Sequence, residues 1–131
     1  MTPDNWKSVE AGLFFPFEKV KLKCDNFEVT LMVRPVKSLR NGIFVYVNGK
    51  IDYNYLFEDC EERKRFYRRI EKPKYSPAQQ KDEKRLAKLL KRPSRHNEKF
   101  VSYREYWTDF TAMRRHFCRY NQDIQLRKET V

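Results

Sequence analysis

Glycine is scarce. Only Gly12, Gly42 and Gly49 occur in 131 residues, and the last two follow asparagines. A glycine-rich phosphate cradle therefore cannot be drawn. Histidine is scarcer still, with His96 and His116 alone. His116 and Cys118 are two positions apart on a predicted helix, so they do not face one another as a dyad or metal pair must. The three cysteines, Cys24, Cys60 and Cys118, are odd in number and far apart. No C-x-x-C and no secreted disulfide spacing exists, which points to reduced thiols in a cytosol. Long apolar runs are missing too. The stretch Leu13–Phe17 is far too short to span a bilayer, and no opening segment joins a basic start to an apolar run, so no membrane partner is expected. Acidic residues are the last deficit: 18 Asp and Glu stand against 29 Lys and Arg, a formal charge of +11.

What is present is the material of one folded domain. Hydrophobic residues make up 40% and aromatics 15%, enough for a real core and too much for a disordered basic tail. A domain this basic meets polyanions, chiefly nucleic acid or an acidic protein face. The charge is uneven. Residues 1–60 are neutral, with 8 bases and 8 acids; residues 61–95 carry 14 and 5; residues 96–131 carry 7 and 5. The basic character belongs to the middle segment.

Thr2-Pro3 predicts a short first helix, with Trp6 and Val9 inward and Gly12 at its end. Val20, Leu22 and Cys24 alternate with lysines, Asp25-Asn26 offers a tight turn, and Phe27, Val29, Leu31 and Val33 alternate again. Pro35 predicts that this strand ends, bulges or lies on an edge. Asn41-Gly42 and Asn48-Gly49 bracket Ile43–Val47 and predict hairpin turns, with Ile51, Tyr53 and Tyr55 continuing beyond. Residues 17–56 thus read as an antiparallel meander of three or four strands. Thr108 is the expected cap of a covering helix that places Phe110, Met113, Phe117 and Tyr120 on one side. Ile124 and Leu126 suggest a short final strand. Residues 59–71 fit a helix or a strand. Ser76-Pro77-Ala78-Gln79 reads as a capping box opening a helix from Pro77 to about Arg92. The expected fold is a single α+β domain: an N-terminal antiparallel meander packed with two to three helices.

Two basic groups are candidate binding residues. On the helix over 77–92, Lys81, Lys84, Arg85, Lys88, Lys91 and Arg92 fall within an arc of roughly 120°, with Leu86, Leu89 and Leu90 opposite and expected to dock inward. An ordinary solvated face has the same pattern, but Asp82 and Glu83 are too few to neutralise this one. In the run from Arg63 to Arg69, the bases Arg63, Lys64, Arg65, Arg68 and Arg69 interleave with aromatics. Those bases can neutralise phosphates and Tyr67 can stack on an unpaired base, while Phe66 reads as core. Tyr103, Tyr106 and Trp107 read as buried rings with satisfied polar tips. For catalysis, Glu62-Arg63-Lys64 and Asp82-Glu83-Lys84 hold the residue types of a metal-dependent nuclease. Such triplets arise often in a chain that is 36% charged, so no catalytic, metal or cofactor residue is assigned and a non-enzyme is expected.

The stretches WKSVEAGLFFPFEKVKLKCDNFEVTL, CEERKRFYRR, YSPAQQ and YWTDFTAMRRHF resemble small proteins encoded by bacteriophages and prophages. Those proteins carry no assigned catalytic motif, so the resemblance implies an origin and a bacterial host cytoplasm, and transfers no site residue. Small phage accessory proteins frequently bind host machinery, including defence nucleases and CRISPR effector complexes. The resemblance therefore implies an anti-CRISPR-like inhibitor acting on nucleic acid or a host nucleoprotein. A general nucleic-acid-binding or regulatory phage protein and a small metal-dependent nuclease are the alternatives.

Overall fold

The computed structural model describes residues 1–127. In chain order the elements are α1 (Pro3–Gly12), β1 (Lys19–Cys24), β2 (Phe27–Lys37), β3 (Arg40–Val47), a 3₁₀ turn (Tyr53–Leu56), α2 (Glu61–Phe66), β4 (Arg68–Pro73), α3 (Pro77–Leu89), β5 (Lys99–Arg104), β6 (Tyr106–Trp107), α4 (Phe110–Tyr120) and β7 (Ile124–Arg127). The class is α+β, as the sequence predicts. The residues gather into two compact units, one formed by Met1–Arg68 with the chain from Tyr103 on, the other by Arg69–Ser102.

The first unit is built on a five-stranded antiparallel sheet in the order β6-β3-β2-β1-β7. Alternation decides its faces. Val20, Leu22 and Cys24, then Val29, Leu31 and Val33, then Ile43, Val45 and Val47 all point to one buried side. Leu22 stands opposite Val29, and Leu31 opposite Val45. Trp6 and Val9 of α1, Phe66 of α2, and Met113 and Phe117 of α4 join these residues in one core. A sheet with one apolar face needs such cover to be stable. The outer face is polar: the Arg34 guanidinium donates to the Tyr46 hydroxyl at 3.0 Å and lies over the Phe44 ring.

The caps are largely as expected. The Thr2 hydroxyl accepts from the Asn5 amide at 3.2 Å, and Ser76 with Gln79 forms the complete capping box. On α4, however, Asp109 and not Thr108 is the cap, its carboxylate accepting from the Thr111 amide at 2.9 Å; Tyr120 is largely exposed. An ionised carboxylate is the stronger acceptor for these free amides. The segment left open over 59–71 takes both forms in succession, α2 and then β4. The short final strand is present as β7, paired with β1.

Two turn assignments change. The β2–β3 hairpin turns at Ser38-Leu39, and Asn41-Gly42 lies inside β3. Gly42 is there for room: a Cβ would come within 2.7 Å of Val36 Cγ2 and 2.9 Å of the Tyr106 ring. Pro35 sits where the β2–β3 register shifts between Pro35 and Lys37, so the strand bulges and continues. Asn48-Gly49 does form a tight turn, with φ of 53° and 83°. No fourth meander strand follows beyond one bridge from Val47 to Lys50, because Glu105–Trp107 already holds that edge of β3.

All three cysteines are free thiols. Cys24 is fully buried, and burial pushes its thiol up to about 12, whereas Cys118 is exposed. Alkylation of the native protein, followed by peptide mass mapping, should label Cys118 first and Cys24 only on unfolding. Rapid native labelling of Cys24 would contradict its place in the core.

Candidate nucleic-acid interface

The second unit is the basic one. Residues 69–102 hold 11 Lys and Arg against 4 Asp and Glu. It consists of α3 and the two-stranded β4–β5 sheet. Ser76 and Pro77 start α3. It stops at Leu89, short of Arg92, because Lys91 turns left-handed (φ 51°) and the Arg92 amide folds back onto the Ala87 carbonyl at 3.0 Å.

The side by which α3 packs is not the one its leucines suggest. Its least exposed residues are Gln80, Glu83 and Ala87, spaced i, i+3, i+7 and therefore one narrow strip. The Gln80 side chain donates to the Tyr75 carbonyl at 3.0 Å. Glu83 accepts from the Arg92 guanidinium at 2.7 Å and from the Arg95 amide at 3.3 Å, and Arg92 above all holds its carboxyl below the usual carboxylate range. Ala87 is 2% exposed. Leu86, Leu89 and Leu90 are 45%, 74% and 59% exposed. The inward docking expected of them does not occur. A strip of small and hydrogen-bonded residues lets the following loop close on the helix, which leaves the leucines on one flank and the cations on the other.

Lys81, Lys84, Arg85, Lys88 and Lys91 are exposed, and among the described residues none has an ion-pair partner. Arg92, counted with them from the sequence, is committed to Glu83. Five cations are left free, four on α3 and Lys91 just past its end.

The run from Arg63 to Arg69 is differently occupied. Lys64 is 3.2 Å and Arg63 3.4 Å from the Asp59 carboxylate, and the Arg63 guanidinium stacks 4.2 Å from the Tyr103 ring centroid. Arg65 donates to Asp25 at 2.7 Å and Glu61 at 3.0 Å. Asp25 also accepts from the amides of Asp123 (2.9 Å) and Gln122 (3.2 Å), and these amides, with Arg65, lower its pKa. Arg65 thereby fastens α2 to the β1–β2 turn and the start of β7. Arg69 pairs with Glu71 at 2.7 Å, and Arg68 is half-buried. Tyr67 corrects the sequence reading outright: it is fully buried and presents no ring to a base. Tyr67 caps the end of α2 in extended backbone, and its ring lies in the core next to Tyr55.

Among the described residues the Tyr67 hydroxyl has no hydrogen-bond partner, and burial raises its pKa. An unsatisfied buried hydroxyl costs about 1–3 kcal/mol. Tyr67→Phe should therefore melt at the same temperature or a few degrees higher. A clear loss of stability would show that the hydroxyl is bonded in solution.

Trp107 is buried with its indole N–H donating to the Phe66 carbonyl at 2.8 Å, as read from the sequence; Tyr103 and Tyr106 are only half-buried. His116 serves structure. Its Nε2 lies 2.8 Å from the Lys64 carbonyl, which only accepts, so that nitrogen carries the proton; burial lowers the ring's pKa. Among the described residues no group of three or more His, Cys, Asp or Glu is placed to hold a metal ion. Asp82 and Glu83, adjacent on a helix, point about 100° apart, and Glu83 is taken by Arg92. No helix among these residues is long and apolar enough to cross a membrane.

One surface escaped the sequence reading. Phe14, Phe15 and Phe17 are 76%, 62% and 62% exposed, and Phe14 lines a pocket of about 290 Å³ with Glu10, Leu13, Val33, Ile43, Trp107 and Phe110. The available signal was an aromatic run with neither helical nor strand periodicity directly after Gly12. Comparison with protein families, curated proteins and solved structures finds no match for this chain.

Proposed function

We propose that the chain is a non-enzymatic, phage-type accessory protein that binds nucleic acid, free or within a host nucleoprotein such as a CRISPR effector complex, through the cationic face of α3. One observation carries this reading. Lys81, Lys84, Arg85 and Lys88 on α3, with Lys91 just past its end, stand exposed and unpaired, while the helix packs through a different strip. Like charges at helical spacing repel, so the face weakens the helix unless a polyanion neutralises it. Every other cation cluster of the chain's middle third is partly neutralised by its own carboxylates.

The test is a salt titration of binding to fluorescent duplex DNA, duplex RNA and single strands. Five phosphate contacts predict a log–log slope of about −4.5 on duplex DNA, or about 500-fold weaker binding when salt rises fourfold. Absence of binding to all three at low salt would overturn the reading, as would cleavage dependent on added Mg²⁺.

A further inference from the structure

We propose that the exposed leucine row of α3, Leu86, Leu89 and Leu90, is a docking site for an amphipathic helix of a partner protein whose apolar row is rimmed by acidic residues. The cationic face reads a phosphate backbone, but three leucines do nothing for phosphate. They lie at i, i+3 and i+4 and cover an arc of about 100°, the ridge that a second helix receives. The fold does not use them, because α3 packs through Gln80, Glu83 and Ala87. Their exposure is a standing cost in water unless something covers them.

Charge selects the occupant. Two exposed charges without an ion pair among the described residues stand one helical turn before the row, Asp82 before Leu86 and Arg85 before Leu89, and the surrounding unit has 11 bases against 4 acids. A second copy of this chain would set that excess against itself. A bilayer fits poorly as well: with the leucines in the membrane, the cation arc centred on the far side of the helix would point away from the headgroups. Acidic residues on the Leu89 side of the partner helix meet Arg85, away from Asp82, and are drawn by the field of the whole unit.

The leucine row and the cationic face lie on different arcs of one helix, so each can be removed alone. The probe is a synthetic helical peptide with leucines at i, i+3, i+4 and i+7 flanked by glutamates, titrated by anisotropy against the full-length protein. Two control peptides are a register-scrambled version and one with lysine flanks. The wild type should prefer the probe to either control by about tenfold or more, and Leu89→Gln/Leu90→Gln should erase that preference. These leucines are exposed, so the variant should melt like the wild type and keep its nucleic-acid affinity within about twofold. Lys84→Glu/Lys88→Glu should do the reverse, losing nucleic acid while the peptide still depends on the leucines. Equal binding of the probe and its scrambled version would overturn the proposal and leave charge alone. Leucine-dependent uptake by phosphatidylserine vesicles without peptide binding would reassign the row to lipid, and a leucine-dependent dimer in sedimentation would reassign it to a second copy.

Discussion

Phe66→Ala is expected to lower the stability of the larger unit by about 3–5 kcal/mol, a large share of the 5–15 kcal/mol typical of a domain. Phe66 is fully buried and meets two rings edge to face, Phe27 of β2 and Phe117 of α4, each at 5.5 Å between centroids. Truncation leaves a cavity between sheet and helix and removes both ring pairs. The consequence spreads, because α2 has six residues and is too short to persist without tertiary contacts. Its C-terminal end is held by Phe66 and by Arg65 on Asp25, and the Phe66 carbonyl accepts from the Trp107 indole. Loosening α2 therefore loosens the β6 edge. Urea melts followed by tryptophan fluorescence measure the loss. Phe15→Ala, at a ring 62% exposed, is the control and should shift stability by no more than about 0.5 kcal/mol. Similar costs at the two positions would contradict the core described above.

Phe66 was legible as core from its sequence, and so was most of what surrounds it. The strands β1 and β2 announce themselves by alternation, because a half-buried strand sorts side chains with a period of two. The capping boundaries of α1 and α3 were legible because caps are local chemistry. What failed was non-local. Asn41-Gly42 carries the hairpin signal, yet Gly42 answers to the approach of Val36 and Tyr106, the latter 64 residues away in sequence. Asn48-Gly49 turns as read, but whether a strand follows depends on which segment reaches the β3 edge first, and Glu105–Trp107 takes it. On α3 the leucines outweigh one alanine in any hydrophobic pattern. The packing strip is set instead by Glu83 receiving Arg92 and the Arg95 amide, hydrogen bonds that no periodicity reveals. The cations expected on one helical face divide: Lys81, Lys84, Arg85 and Lys88 lie on α3, while Lys91 and Arg92 lie past its end. Their lack of partners could be seen only once Arg92 was found to be spoken for and the other five were not.

That contrast makes the charge reversal Lys84→Glu/Lys88→Glu the decisive functional experiment. Both side chains are exposed, unpaired and outside the strip that packs α3. Surface charges of this kind add little to stability, so melting should move by no more than a few degrees. Binding should change far more. Two attractions become two repulsions in the middle of a five-cation group, and the affinity for duplex nucleic acid should fall roughly 30-fold or more at about 0.1 M salt. Three remaining phosphate contacts predict a log–log salt slope near −2.7, against about −4.5 for the wild type. The slope matters more than the affinity, because it counts contacts. Lys7→Glu/Lys50→Glu is the matched control: both residues are exposed and lie outside the basic unit, and the net charge changes by the same four units. If both double variants lose equal affinity with equal slopes, binding follows net charge and α3 is only a solvated face. If the α3 variant alone loses its slope, the four cations of this helix and Lys91 beyond its end are the surface that meets the phosphates.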